Sequence, residues 1–241
     1  MKYFSILCAL TLLTLQSCNI DFLDCYDGDF INKEIIIDEV NTVEIDFPCE
    51  IVLIDGPVQS IKVNAKEDLI SDLEDKSTVS GKTWKVRLEN NCIKHREDIT
   101  FTMTIPGLKR IEVDGSTKIS GDAGLSMLDE IFELDFDGSA DVRLTDFNVK
   151  EFSVRTDGSI NLSLQGSTED ATFDFDGSGK ISARNFRTAN TTLRMDGSGF
   201  AEIWVTDKLN VNLDGSASVC LKGNPSVTSQ IDGSGKIQNC N

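Results

Sequence analysis

Seven copies of the tripeptide Asp-Gly-Ser are the part of this sequence with the clearest potential for chemistry. Their aspartates recur at spacings of 18 to 23 residues, at Asp114, Asp137, Asp157, Asp176, Asp196, Asp214 and Asp232. Carboxylates beside glycine-rich turns are suitable oxygen ligands for Ca²⁺. An aspartate in a turn can also accept a local backbone N–H and face solvent. We favour this structural role, because each turn supplies a single carboxylate, and we predict no metal or other cofactor.

Other candidate chemical groups are sparse. His95 is the single histidine, so any mechanism or zinc site that needs two is excluded. It follows Cys92 by three residues in a polar segment, and we interpret it as a solvated loop residue. No Cys-x-x-Cys pair supports zinc binding. Trp204 lies at an outward offset of its repeat and is the candidate for stacking on a ligand such as a sugar, although a neighbouring loop can equally cover it.

Cys18 is the candidate site of a covalent modification. Met1-Lys2 gives a positive start, and the apolar run from Tyr3 to Leu15 is too short to span a bilayer but fits a secretory signal. The run ends in Leu15-Gln16-Ser17-Cys18, which resembles the lipobox of bacterial lipoproteins. We therefore predict a signal peptide over residues 1–17 and acyl chains on Cys18 that anchor the protein in a membrane. Residues 18–34 form an acidic tether.

The remaining cysteines suggest disulfides, which an extracytoplasmic location permits. Cys220 and Cys240 occupy adjacent repeats with the same outward parity, so they are one candidate pair. Cys49 and Cys92 both flank strands of the first half and are a second candidate pair. This arrangement leaves Cys25 without a proposed partner.

The charge balance excludes one class of partner. Against 40 Asp and Glu the chain has 23 Lys and Arg, a formal net charge of −17. Nucleic-acid binding requires basic side chains that displace phosphate counterions. We therefore exclude a nucleic-acid partner, and basic docking on an anionic membrane surface is disfavoured for the same reason.

The residues around each Asp-Gly-Ser turn reveal the elements that carry it. Counted from the aspartate, positions −3, −1, +5 and +7 are mostly apolar and alternate with polar residues, as in Leu134-Asp135-Phe136 and Leu162-Ser163-Leu164. Period two on both sides of a turn indicates two strands per repeat, each with one buried face. A propeller blade needs about 40 residues, whereas about 20 suit one coil of a solenoid. The sequence predicts an all-β fold, a right-handed parallel β-helix with coils of 18–23 residues that is capped by Ser229 and Asn239.

The first half also alternates, in segments such as Val43 to Phe47 and Trp84 to Leu88. No linker composition separates it from the repeats. We predict an N-terminal β region over residues 35–107 that adds irregular coils to the repeat solenoid of residues 108–241, so that both form one continuous domain.

The order of these segments resembles a known family. The relevant stretches are Phe47-Pro-Cys-Glu-Ile-Val-Leu, Ile61-Lys-Val-Asn-Ala, Thr104-Ile-Pro-Gly-Leu-Lys-Arg-Ile and the Asp-Gly-Ser-Gly turns. Together they resemble the auto-transporter adhesins defined by a head GIN domain, which occur among lipoproteins of the Bacteroides group. The resemblance covers residues 35–241. It implies a β-helical cell-envelope protein and brings no catalytic residues with it.

The expected function is therefore non-enzymatic, adhesin-like binding by a lipid-anchored envelope protein. Its expected location is the outer membrane, facing the periplasm or the cell surface, and its expected partner is a glycan or an envelope or host protein. One alternative is a polysaccharide-active enzyme, because right-handed β-helices often host such reactions. A purely structural role in the envelope is the other alternative.

Overall fold

The computed structural model describes residues 26–89, 99–122, 124–125 and 128–241. Within these residues there are twelve strands and one helix, and that helix is neither long nor apolar enough to cross a bilayer. In chain order the elements are β1 (Phe30–Glu34), β2 (Thr42–Ile45), β3 (Cys49–Leu53), β4 (Ser60–Lys66), α1 (Glu67–Lys76), β5 (Thr78–Ser80), β6 (Thr83–Val86), β7 (Thr100–Thr104), β8 (Leu108–Asp114), β9 (Thr117–Gly121), β10 (Leu128–Lys222), β11 (Ser226–Gly233) and β12 (Lys236–Asn239).

Strand β10 is a run of extended backbone 95 residues long. A straight strand of that length would measure about 300 Å at roughly 3.3 Å per residue, so β10 bends repeatedly. Its first part runs parallel to β8 and β9, and its last part runs parallel to β11 and β12. These ladders join Asp114 to Asp137 and Asp214 to Asp232. At each end of the repeat series, two consecutive turns therefore lie side by side.

The glycine of each turn explains why the tripeptide is repeated. Gly158 has a φ of +145°, which side chains of L residues rarely allow, and a Cβ at this position would overlap the carbonyl oxygen of Gly138. The same relation to the glycine of the preceding turn holds for Gly138, Gly177, Gly197, Gly215 and Gly233. Each turn thus approaches its predecessor so closely that only glycine fits.

The all-β class is confirmed, but the sheet is mixed and does not close into a barrel. Strands β2, β3, β8, β9 and β10 pair in parallel, whereas β1 with β4, β4 with β7, and β5 with β6 pair antiparallel. Only β5 and β6 are joined by a short connection, Gly81-Lys82, which permits only antiparallel neighbours, whereas long segments of chain separate β1 from β4 and β4 from β7. The right-handed winding of a parallel β-helix stays a prediction.

The apolar positions of the repeat form the core. Positions −3, −1, +5 and +7 are buried in the repeats from Asp137 to Asp214, as the alternating pattern predicts. In the last repeat, Ser229 and Asn239 are exposed.

The sequence pattern missed a row of aromatic residues inside the same core. Phe132 and Phe152 lie five residues before their aspartates, and Phe147 and Phe186 lie ten residues after theirs; all four are buried. The ring centroids of Phe147 and Phe186 are 5.0 Å apart, and those of Phe147 and Phe152 are 5.2 Å apart. Stacked and edge-to-face aromatic pairs at such distances stabilise a core beyond their buried area.

The N-terminal strands continue the rows of the repeat region. Strand β2 pairs with β8 so that Val43 lies beside Ile111, and β3 pairs with β9 so that Ile51 lies beside Ile119. The helix α1 covers this end and buries Leu69, Ile70 and Leu73. The same hydrophobic core therefore includes both halves of the chain.

Candidate functional site

The Asp-Gly-Ser turns present a column of carboxylates along one edge of the molecule. Asp196 is half-buried, and the other six aspartates are exposed. Adjacent strands lie about 4.8 Å apart, so neighbouring carboxylates repel one another. Among the described residues, no group of three or more acidic, histidine or cysteine side chains is arranged to hold a metal ion. The column therefore offers isolated carboxylates and not an assembled calcium cage.

A second outward column, two residues before the aspartates, carries charges of both signs. It includes Arg155, Asp174 and Arg194, and the Arg194 Nε lies 3.8 Å from the Asp174 carboxylate. Together with Asp157, Asp176 and Asp196 these residues line a small depression of about 90 Å³. The arginines offset part of the repulsion within the acidic column.

At the first repeat, Arg110 pairs with acidic residues outside the Asp-Gly-Ser column. Its guanidinium donates hydrogen bonds to Asp135 at 2.7 Å, Glu112 at 3.0 Å and Glu133 at 3.3 Å. Partial burial lowers the pKa of Arg110, but the hydrogen bond to Glu112 and the charges of the three carboxylates outweigh burial and raise the pKa overall. Arg110 thus pairs with three acidic residues of two adjacent strands, β8 and β10.

A groove of about 480 Å³ runs along the other side of the turns, and we call it the serine groove. It crosses four consecutive repeats and combines small or apolar residues with hydroxyl, amide, carboxylate and ammonium groups. Its lining residues are Ser139, Ala140, Asp141, Ser159, Ile160, Asn161, Ser178, Gly179, Lys180, Ser198 and Gly199. The Oγ atoms of Ser178 and Ser198 are 3.3 Å apart, a hydrogen-bond distance.

An exposed aromatic residue, Phe200, follows the serine groove in sequence. Phe200 follows the groove residue Gly199 and is 40% exposed. It occupies the same position in its repeat as Asp141, Asn161 and Lys180. The sequence analysis missed Phe200, although its even offset from Asp196 is the same outward signal that singled out Trp204. The groove therefore has polar groups along its length, and Phe200 is the aromatic candidate next to it in sequence.

Trp204 is less available than the sequence suggested. Its side chain is half-buried, and the Lys222 ammonium lies 3.5 Å from its ring centroid. This distance is typical of a cation–π interaction. Lys222 also donates a hydrogen bond to the Arg184 carbonyl at 3.3 Å, which holds the ammonium near the ring. One face of the indole is thus covered by a side chain of the next repeat, and Trp204 does not line the serine groove.

The cysteines have three different situations. A disulfide joins Cys220 to Cys240, the pair proposed from their shared parity, and their Cα atoms are 5.5 Å apart. Cys49 is a free, buried thiol, so the proposed Cys49–Cys92 bridge is not formed. Burial raises the pKa of Cys49 to about 12 because it disfavours the thiolate, and the hydrogen bond with Thr117 opposes this rise. Cys18, Cys92 and His95 lie outside the described residues.

A cleft in the N-terminal half has no counterpart in the sequence analysis. It consists of two adjoining cavities of about 520 and 690 Å³, which share Pro57, Pro106, Gly107 and Asp129. Ion pairs stand beside it, Lys82 with Glu39 at 3.4 Å and Lys109 with Asp129 at 3.5 Å. These pairs neutralise part of its charge.

Comparison with known proteins establishes the family. A family model described as "Putative auto-transporter adhesin, head GIN domain" matches residues 40–225, which is most of the chain. The chain therefore belongs to this family. No curated protein was found to match it. The head GIN family model covers β2 to β10 and thus spans the serine groove, most of the cleft and the junction of the two halves.

Solved structures show that the fold is shared. A putative adhesin from Bacteroides fragilis superimposes with a TM-score of 0.77 at 17% identity, over 89% of this chain and 98% of that chain. A putative adhesin from Parabacteroides merdae gives 0.62 at 19% identity, over 90% and 98%. A putative lipid binding protein from Parabacteroides distasonis gives 0.61 at 19% identity, over 90% and 98%. The head GIN fold of this chain is thus similar to three bacterial structures along almost their whole lengths.

Proposed function

We propose that this protein is a lipid-anchored, non-enzymatic binding protein of the bacterial cell envelope that captures a glycan in the serine groove. The single observation behind this proposal is the groove itself, which crosses four repeats and whose lining residue Gly199 is followed in sequence by the exposed Phe200. Membership of the head GIN adhesin family supports the same class of function. The alternatives in which the protein is an enzyme or only structural have no such observation in their favour.

A right-handed parallel β-solenoid is the architecture that we propose for the groove. The parallel ladders with a one-repeat offset and the close approach of successive turn glycines support this proposal. In a solenoid, equivalent outward residues of successive coils lie about 4.8 Å apart. An extended ligand with a repeat of similar length then meets the same type of side chain at each coil.

The chemistry of the groove fits a neutral, hydroxyl-rich chain. Serine hydroxyls donate and accept hydrogen bonds, Asn161 does both through its amide, and the Asp141 carboxylate accepts them. The ring of Phe200 offers a surface on which the apolar face of a sugar can pack. The net charge of −17 disfavours polyanionic ligands by long-range repulsion. A neutral glycan is therefore the first ligand class to test.

Glycan binding is tested with the purified full chain on an array of neutral and anionic glycans. We expect binding to neutral glycans and a loss of roughly tenfold in affinity for Phe200→Ala, about 1.4 kcal/mol. Phe30→Ala is the matched control, because Phe30 is a 54% exposed aromatic in β1, outside the groove, and its removal should leave binding unchanged.

Three results would contradict the proposed binding function. If Phe200→Ala binds as well as the unchanged chain, the groove is not the site. If the array is silent and a protein partner is captured through the same surface, the ligand class is wrong. Release of sugars from the bound glycan would favour the enzymatic alternative.

The proposed anchor is tested separately, because Cys18 lies outside the described residues. Cells that produce the chain are labelled with a radioactive fatty acid, and the protein is isolated from membrane and soluble fractions. The unchanged chain should carry the label and sediment with the membrane, and Cys18→Ser should lose both properties. Protease treatment of intact cells then decides between a periplasmic and a surface location. Labelling of Cys18→Ser at an undiminished level would refute the anchor.

A further inference from the structure

The C-terminal end of the repeat stack is an open strand edge. All eight residues of β11 are exposed, including the large apolar residues Val227 at 45% and Ile231 at 37%. In the described part of the chain β11 pairs only with β10. Its other edge therefore presents backbone N–H and C=O groups to solvent, and such an edge pairs readily with another strand.

The edges of the sheet at β1 and β5 are protected in familiar ways. Strand β5 is only three residues long, and β1 carries Lys33 and Glu34, with Lys33 paired to Glu74 at 2.6 Å. Short length and charged side chains both discourage pairing with another chain. Strand β11 has neither feature, because it is eight residues long and Asp232 is its only charged residue.

The inward residues of β11 are arranged almost symmetrically about Ser229, with one large apolar residue on each side. Val227, Ser229 and Ile231 continue the buried rows of Leu209, Val211 and Leu213 in β10. If two copies pair antiparallel with Ser229 at the two-fold axis, Val227 of each copy lies opposite Ile231 of the other. All four apolar side chains then stand on the interior face, because residues of equal parity share a face of the sheet. This pairing covers apolar side chains that the single chain exposes.

The same register places Asp232 two strands, about 10 Å, from Lys208 of the second copy. Asp232 lies opposite Ser226 of the second copy, and Ser226 is paired within its own chain with Lys208. In the single chain Asp232 aligns with Asp214 instead, a like charge. In this pairing the Asp232 carboxylates of the two copies are separated by about six residues along the strands, roughly 20 Å. This distance exceeds the Debye length at 0.1 M salt. Charge repulsion between the two copies is therefore weak at this edge, although the chain is acidic.

We propose that β11 is an interface between two copies of this chain, which pair antiparallel around Ser229 and continue one sheet and one core across a two-fold axis. The interface lies beyond Gly199 of the serine groove, at the end of the repeat series, so it leaves that groove open. Two binding grooves on one anchored particle can engage a repetitive ligand together, which raises avidity without a new contact.

A cysteine at the two-fold axis tests this register in the full chain, produced in cells. Directly opposed residues of an antiparallel pair have Cα atoms about 4.5 to 5.5 Å apart, within the range of a disulfide. Ser229→Cys should therefore give a disulfide-linked dimer under mild oxidation. Thr228→Cys is the matched control on the other face of the strand. Its two thiols would lie on a diagonal of about 7 to 8 Å and should give roughly tenfold less dimer. Equal cross-linking of both variants, or of neither, would refute the register.

The second test removes the apolar contact. The detergent-solubilised full chain should sediment as a dimer, and the double variant Val227→Lys with Ile231→Lys should sediment as a monomer. Thr228→Lys places a single lysine on the outward face and should stay dimeric. Because these side chains are already exposed in the single chain, the melting temperature of the monomeric variant should remain close to that of the monomeric unchanged chain at low concentration. A monomeric unchanged chain at about 100 µM, or a dimer that survives the double variant, would overturn the proposal.

Discussion

The two halves of this molecule hold their strands together by different means. In the repeat region, successive stretches of chain lie parallel with a one-repeat offset, and their turn glycines touch. In the N-terminal half, antiparallel strands, α1 and ion pairs such as Lys85 with Glu44 at 2.9 Å join elements of different sequence. Contacts between equivalent turns therefore order the repeats, whereas the N-terminal half combines parallel and antiparallel ladders of unlike strands with side-chain pairs.

This difference bears on where binding groups can be placed. In the repeats the inward positions and the turn glycine are fixed by packing, so the outward positions vary without affecting the stack. Position +4 holds Asp141, Asn161, Lys180 and Phe200 in four successive repeats, all on the same framework. A surface of this kind can change its ligand by substitution at outward positions alone.

The largest expected effect comes from the glycine that stacks between turns. A methyl group at Gly177 would overlap the carbonyl oxygen of Gly158, and its φ of +128° also opposes a side chain. We expect Gly177→Ala to lower the free energy of unfolding by about 4 kcal/mol. Gly81 in the N-terminal half has φ +63°, and a methyl group there would meet nothing within 4 Å, so Gly81→Ala should cost about 1 kcal/mol.

Denaturant unfolding of both variants measures this contrast. Equal losses would mean that turn stacking contributes no more than ordinary backbone strain, and the distinction between the two halves would then be wrong.

The disulfide at the end of the repeats should have the next largest effect. It closes a segment with a sequence separation of 20 residues and ties the last repeat to the one before. Loss of the cross-link through Cys220→Ser with Cys240→Ser should lower the free energy of unfolding by about 3 kcal/mol, chiefly by freeing the unfolded chain. Hydrogen exchange should also become faster in β11 and β12 and remain unchanged in β2 and β3. Reductant should lower the stability of the unchanged chain but not of the double variant, and an effect on both would contradict this origin.

Cys49 makes the junction of the two halves sensitive to alkaline pH. Its thiol is buried where β3 meets β9, and its pKa is raised to about 12 from an ordinary value of 9.0. The folded state therefore binds the proton more tightly, and the resulting stability is complete below pH 9 and declines as the pH rises toward 12. Relative to Cys49→Ala, the unchanged chain should lose about 2 kcal/mol between pH 8 and pH 10.5.

The measurement is urea unfolding of both proteins at the two pH values. Groups that titrate alike in both proteins cancel in the difference. A constant difference would show that the Cys49 thiol reaches solvent in the folded state.

The repeat region was also the more predictable half, for the same physical reason. Seven turns at a near-constant spacing specify the strands, the buried positions and the alignment of Asp114 with Asp137. The third row of core residues, with Phe147 and Phe186, was missed because no tripeptide marks the bends beside it. The antiparallel β1–β4 pair was missed because β1 lies within residues 18–34, which were predicted to be an acidic tether, and its residues do not alternate between buried and exposed.

The candidate site followed the same pattern. Parity correctly placed Trp204 on the outside but carries no information about the side chains beside it, so the cover by Lys222 was not foreseen. Phe200 had the same parity and was overlooked. The serine groove was also missed, because it needs the serines of four repeats to be seen together and not as parts of separate turns. The repeat spacing thus predicts the strands and the buried positions. A binding surface depends instead on which outward side chains lie next to one another, and the spacing does not predict this.

The smallest expected effect concerns the acidic column itself. Asp214 lies beside Asp232 in the ladder, and the residues two positions before them, Asn212 and Gln230, carry no charge. Asp214→Asn removes a repelling carboxylate while the amide can still accept the local N–H of the turn, so stability should rise by about 0.5 kcal/mol at low salt. The gain should vanish in about 1 M salt, where the charges are screened. Asp207→Asn, at an exposed aspartate outside the column, should change stability less.

The same variant decides between the two roles of the turns. If the aspartates serve the turn alone, added Ca²⁺ leaves the melting temperature of the unchanged chain and of Asp214→Asn where it was. If the column binds Ca²⁺, the cation raises the melting temperature of the unchanged chain, and Asp214→Asn loses part of that rise because a ligand has been removed. The second outcome would mean that the aspartates of the repeated turns bind Ca²⁺ in addition to their structural role in the turns. The contrast between the two halves would then rest on metal binding in addition to backbone geometry.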